Sequence, residues 1–143
     1  MTNLVGISGS LRKGSLNTML LEAMKELLPE GVELTVRPTN DIPLYNGDLD
    51  IDGGPDAVRA LKADIDAADG LIIATPEYNY GVPGVLKNVI DWVSRPAFKS
   101  VLVGKPVAIV GAAPGIVGTA RAQADLRHVL FGTLAEVFPY PEV

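Results

Sequence analysis

The stretch "GLIIATPEYNYGVPGVLKNVIDW", residues 70–92, holds three patterns in one line. "GLIIAT", Gly70 to Thr75, is a continuous apolar run bounded by a proline, the pattern of a strand buried on both faces. "PEYNYGVPG" is polar, aromatic and rich in turn-forming residues. From Gly84 to Val93 the residues Val85, Leu86, Val89, Ile90 and Val93 recur at helical spacing. A doubly buried strand followed by a loop and a helix is the unit of a parallel sheet with crossover helices.

The same alternation runs outward in both directions. Upstream, "LVGIS" (Leu4 to Ser8) is a strand, and a helix follows Ser15 with Leu16, Met19, Leu20, Ala23, Met24, Leu27 and Leu28 in phase until Pro29 and Gly31 stop it. "VELTVR" (Val32 to Arg37) alternates, as a half-buried or edge strand does. After a long connection Pro55 opens a helix with Val58, Leu61 and Ile65 on one face. Downstream, "PVAIVGA" (Pro106 to Ala112) is a second fully apolar strand, a helix spans Thr119 to Leu130, and "AEVFPYPEV" supplies a short last strand. No repeat or linker divides residues 1–143, so one domain is expected. Right-handed crossovers leave few arrangements of five such strands. The expectation is an α/β doubly wound parallel sheet of flavodoxin-like order 2-1-3-4-5.

Composition narrows the function. The 143 residues are 48% hydrophobic, enough for a substantial core, and the formal net charge of -5 argues against a general nucleic-acid binder. The absence of cysteine excludes disulfides, thiolate metal sites and a thiol nucleophile. The opening "MTNLVGIS" lacks the features of a secretory signal, and no apolar run approaches the roughly 20 residues of a membrane span, so a cytoplasmic location is expected.

In a doubly wound sheet, ligands bind beyond the carboxyl ends of the strands near the switch point, here strands one and three. Those ends carry "GSLRKGSLN" and "PEYNYGVPG". In the first, hydroxyls of Ser8, Ser10 and Ser15, the Asn17 amide and the Arg12 guanidinium precede or open a helix, a set suited to a terminal phosphomonoester. It matches neither the dinucleotide fingerprint nor the Walker loop. The first loop alone is equally a glycine turn before a helix capped by Ser15. In the second loop, main-chain groups and the Asn79 amide can read the edge of a flat heterocycle while Tyr78 packs on its face. The alternative there is a rigid turn with surface or subunit-contact tyrosines and a solvated Glu77. Phosphate at one end and a planar ring at the other describe a mononucleotide, and FMN fits that shape.

"GSLRKGSLN", "TPEYNYGVPGVLKNVIDW" and "GIVGTARAQ", in this order, resemble the NAD(P)H-dependent FMN reductase family, which includes flavodoxin-like chromate, quinone and azo-compound reductases. The similarity runs from about Leu4 to Val143. It implies non-covalent FMN, NADH or NADPH as the co-substrate, small-molecule electron acceptors, and a homodimer or homotetramer. Ser10, Arg12, Ser15, Leu16 and Asn17 match the family's phosphate loop; Pro76, Glu77, Tyr78 and Asn79 match its flavin-ring loop, and Ala112 offers a main-chain contact. No side chain is expected to act as a catalytic acid or base, because the cofactor carries the chemistry. Gly111, Ala112 and Ala113 stand where relatives often have a serine, and Thr119 replaces a common glycine, which is expected to narrow the mouth of the site. Relatives usually continue with a further helix, so an exposed apolar strand face is expected.

Two other readings belong to different classes: a flavodoxin-type electron carrier without NAD(P)H oxidation, and a non-catalytic fragment that serves in assembly. "DLDIDG", Asp48 to Gly53, copies the start of a calcium loop, but Arg59 occupies its twelfth position and Pro55 interrupts it. A phosphate-receiver domain would need an aspartate ending strand three, where this chain has Thr75 and Pro76. His128 and Trp92 are expected on the surface and in packing, respectively, and Arg95, Tyr78 and Tyr80 in a subunit contact.

Overall fold

All five residues of β3 (Gly70–Ala74) are buried, which places this strand in the interior of the sheet. The computed structural model describes residues 1–143. Around β3 the sheet has the order β2-β1-β3-β4-β5, with every neighbouring pair parallel. The remaining strands are β1 (Thr2–Ser8), β2 (Val32–Arg37), β4 (Pro106–Val110) and β5 (Glu136–Val137). The helices are α1 (Leu16–Lys25), α2 (Asp56–Ala67), α3 (Gly84–Val93) and α4 (Ala120–Phe131). This is the expected flavodoxin-like topology, and no helix follows β5 within these residues.

Strand alternation divides the core in two. Val5, Ile7, Leu71, Ile73, Val107 and Ile109 face α2, α3 and α4, whose Leu61, Ile65, Leu86, Val89, Leu126 and Leu130 complete the larger cluster. Leu34, Ile72, Ala74 and Val110 face the other way and meet Leu21 of α1. Beside that smaller cluster the sheet carries an apolar cleft of about 570 Å³, lined by Leu4, Ile72, Val107, Ala108 and Phe138 among others. It is the exposed apolar strand face that the sequence led us to expect.

Element ends follow local chemistry. α1 stops at Lys25, short of the apolar periodicity, because Glu26 folds its N–H back onto the carbonyls of Ala23 and Met24 and the Leu27 side chain has nothing to pack on. β5 is only two residues long. Phe138 still donates to the Val107 carbonyl, but the Tyr140 N–H, which would make the next rung, turns back to the Phe138 carbonyl at 2.9 Å. Trp92 is wholly buried in α3; its Nε1 donates to the Pro43 carbonyl at 2.8 Å and its ring meets Tyr45 edge-on. Packing, as expected, is its role. His128 is exposed on α4, and the Arg95 guanidinium lies over the Tyr45 ring.

The Thr119 side chain does not narrow the site's mouth, which corrects the sequence expectation. It is turned inward and only 3% exposed, and its Oγ1 accepts from Gln123 Nε2 at 3.0 Å. A hydroxyl satisfied inside has no reason to face solvent. A Cβ on Gly111 would lie 1.8 Å from that Oγ1 and 2.7 Å from the Thr75 carbonyl oxygen. The two departures from the family pattern are therefore one packing solution, with the threonine filling space that the glycine leaves. Gly111→Ala is expected to cost about 2 kcal/mol or more and lower the thermal midpoint. Adding Thr119→Gly should recover only part of the loss, since the Thr75 carbonyl remains in the way; an unchanged midpoint in the single variant would contradict this packing.

Candidate cofactor site

β1 and β3 run side by side with Ser8 opposite Ala74, so the loops that leave them start together. The Gly9 N–H donates to the Ala74 carbonyl at 2.8 Å, and a Cβ on Gly9 would come within 3.0 Å of Pro76 Cδ. Glycine at position 9 is what allows the loops to touch. Beyond it the chain turns through Gly14, at φ +69°, a conformation that suits glycine. Ser15 then caps α1, its Oγ accepting from the Thr18 N–H at 3.3 Å. The Leu16 and Asn17 N–H groups lie in the first turn, where no intrahelical carbonyl is available. The exposed Arg12 donates from Nη2 to the Gly14 carbonyl at 3.1 Å.

The Asn17 side chain does not point at a ligand. Nδ2 donates to the Ala112 carbonyl and Oδ1 accepts from the Ala112 N–H, both at 3.0 Å. This two-point clip ties the first loop to the end of β4 and leaves only the Asn17 main-chain N–H for an anion. Ser15 likewise spends its hydroxyl on its own helix.

The second loop is held as firmly. Tyr78 and Gly81 exchange main-chain hydrogen bonds across a turn whose central residues, Asn79 and Tyr80, have φ of 51° and 70°. A tyrosine in the left-handed region is strained, and here its ring packs under the Arg121 guanidinium, 3.8 Å from the ring centroid. Arg121 Nε donates to Glu77 Oε1 at 2.7 Å, while Glu77 Oε2 accepts from the N–H groups of Arg121 and Ala122. Glu77 is thus not solvated: its side chain is 9% exposed and caps α4, a helix with no acidic residue in its first turn and no side-chain cap of its own. That uncapped start is the one sequence signal that could have pointed to the role. The Val82 N–H donates to Asp125 Oδ2 at 3.0 Å, a second tie between this loop and α4.

Between the loops lies a cavity of about 220 Å³. Ser10, Arg12, Ser15, Leu16 and Asn17 form one end, Pro76, Glu77 and Tyr78 the other, with Ala112 beside Ala113 and Pro114 on the third side. Of the residues expected from the sequence, Ser8 and Asn79 are not in the lining; Ser8 is buried, its Oγ accepting from Thr18 Oγ1 at 2.8 Å, while Ala113 and Pro114 join the lining. The donors suit FMN. Arginine, a serine hydroxyl and free helix N–H groups at one end match a phosphate, and flat or small side chains at the other leave room for a ring.

Residues 2–143 match the family model described as NADPH-dependent FMN reductase. The chain belongs to that family. It is 48% identical over 139 residues to an NAD(P)H-dependent FMN reductase of Pseudomonas aeruginosa, covering 97% of this chain and 75% of the relative. Against a quinone reductase of Escherichia coli the identity is 46% over 140 residues, with 96% and 74% covered. The solved structure of FerB, a flavoenzyme NAD(P)H:(acceptor) oxidoreductase from Paracoccus denitrificans, superposes with a TM-score of 0.91 at 37% identity, covering 99% of this chain and 78% of that one. The chain is an NAD(P)H-dependent oxidoreductase with FMN as its cofactor. Asn17→Ala removes both bonds of the clip, at about 0.5–1.5 kcal/mol each. The expected result is a lower thermal midpoint without FMN and FMN binding weakened about tenfold; unchanged values for both would show that the clip does not order the site.

Proposed function

We propose that residues 1–143 act as one FMN-binding unit that passes electrons from NADH or NADPH to quinones. Chromate, azo compounds and free flavin are proposed as further acceptors. The single observation behind this reading is that the two loops meet around one cavity, whose third side, the end of β4, is clipped to the first loop through Asn17 and Ala112. Ser10, Arg12 and the N–H groups of Leu16 and Asn17 would hold the phosphate. Pro76, Tyr78 and the Ala112 main chain would seat the ring, with Glu77 and Asn79 shaping the loop that carries them. Bound FMN supplies the two-electron chemistry between nicotinamide and acceptor. The protein's share is to bind, orient and keep the ring end closed on one side. No side chain in the cavity needs to move a proton for hydride transfer.

The names of the similar proteins from Pseudomonas aeruginosa and Escherichia coli, a flavin reductase and a quinone reductase, favour small-molecule acceptors. No helix is long and apolar enough to cross a membrane, which agrees with the cytoplasmic location we propose. We also propose a homodimer or homotetramer, supported by Tyr78 and Tyr80, large aromatic residues exposed at the rim of the site.

An FMN titration followed by anaerobic addition of NADH or NADPH tests the reading. The flavin absorbance is expected to bleach and to recover when a quinone is added. Arg12→Ala should raise the Kd for FMN about tenfold or more while leaving riboflavin, which has no phosphate, unaffected. Tight FMN binding without bleaching would turn the reading to an electron carrier, and failure to bind FMN would remove it.

A further inference from the structure

The loop at the ring end, residues 76–82, is gripped at both ends by one helix. At its start, Glu77 Oε1 accepts from Arg121 Nε at 2.7 Å, and Oε2 accepts from the N–H groups of Arg121 and Ala122 at 3.0 and 3.2 Å. At its end, the Val82 N–H donates to Asp125 Oδ2 at 3.0 Å. Arg121 and Asp125 stand four residues apart on α4, so both project from the same face, one turn from each other. A Cβ on Gly81 would lie 3.0 Å from Asp125 Oδ2, so the glycine leaves room for that carboxylate.

Between the two grips lies a turn that is poorly fixed by its own bonds. Asn79 and Tyr80 have φ of 51° and 70°, and non-glycine residues keep such angles only where their surroundings hold them. The bonds across the turn are long, 3.3 Å from the Tyr78 N–H to the Gly81 carbonyl and 3.1 Å in return. The Arg121 guanidinium touches both the start of the loop and its turn, through Glu77 and through the Tyr80 ring, 3.8 Å from the centroid. Tyr78 lies between these two contacts and lines the cavity with its side chain half exposed. The main chain, rather than packing, therefore sets where Tyr78 stands.

We propose that Arg121 and Asp125, neither of which lines the cavity, are positioning residues for the flavin ring. They act through Glu77, Tyr80 and Val82 to place Pro76 and Tyr78. The proposal rests on the reading of this end of the cavity as the ring seat. Hydride transfer requires close approach of the reacting atoms, so a small displacement of the seat lowers the rate as well as the affinity. The two grips differ in chemistry. Asp125 supplies one acceptor oxygen, which asparagine also has. Arg121 must donate from Nε and present a flat face to a tyrosine at once, which lysine cannot do.

The test compares Kd values for FMN and for riboflavin, which carries the ring without the phosphate, with thermal midpoints of the flavin-free proteins as the check on folding. Arg121→Ala is expected to raise both Kd values about tenfold and Asp125→Ala about threefold. Asp125→Asn should restore both, whereas Arg121→Lys should bind as weakly as Arg121→Ala. The visible circular dichroism of the bound flavin should also change in Arg121→Ala at saturating FMN. Should Arg121→Ala fail to fold, Arg121→Lys and the two Asp125 variants still decide the matter. Unchanged riboflavin affinity in the folded variants, a loss confined to FMN, or full recovery in Arg121→Lys would overturn the proposal alone. Wild-type protein that binds neither flavin would remove the ring-seat reading and this proposal with it.

Discussion

The parallel pairing of β1 with β3 is the constraint on which the site depends. With Ser8 opposite Ala74, two loops more than sixty residues apart in sequence leave the sheet at one point. A one-residue slip would turn Ile7 and Ile73 out of the larger core, so apolar packing fixes the register. The register then fixes where "GSLRKGSLN" and "PEYNYGVPG" meet. Gly9 allows final contact, because any side chain there would push against Pro76 and Leu86.

On that base the loops are stiffened by bonds that reach far along the chain. Asn17 holds Ala112, Glu77 holds the start of α4, and Asp125 holds the Val82 N–H. Each satisfies main-chain groups that the neighbouring element could not satisfy itself. The strained turn at Asn79 and Tyr80 is tolerated within this frame, with the Tyr80 ring packed against Arg121. A site assembled from loops thereby gains some of the rigidity usually associated with helices and strands.

Much of this was legible in the sequence. α3 and β2 have the bounds their periodicity predicts, and the strand order followed from handed crossovers. The cavity lining was legible too, because in this architecture polar loops at the carboxyl ends of adjacent strands have one place to go. The roles of individual side chains were not. Asn17 acts on a residue 95 positions away and Glu77 on one 44 away, and only the uncapped start of α4 hints at either. Thr119 read as a surface obstruction because nothing in sequence shows that Gln123 offers it a partner inside. The ends of α1 and β5 were misjudged for a local reason: the apolar pattern runs on past the points, Glu26 and Tyr140, where the main chain turns back to bond its own preceding residues.

Glu77 brings a negative charge to the end of the cavity that would seat a ring. Left alone, it would oppose any ligand that gains electrons there, since two like charges in a partly desolvated space repel strongly. Its partners alter that field. The Arg121 guanidinium and the positive end of the α4 dipole both lie against the carboxylate. The same contacts that cap the helix therefore offset the carboxylate's charge, so that electrons added to a ring held there would not meet an unpaired anion.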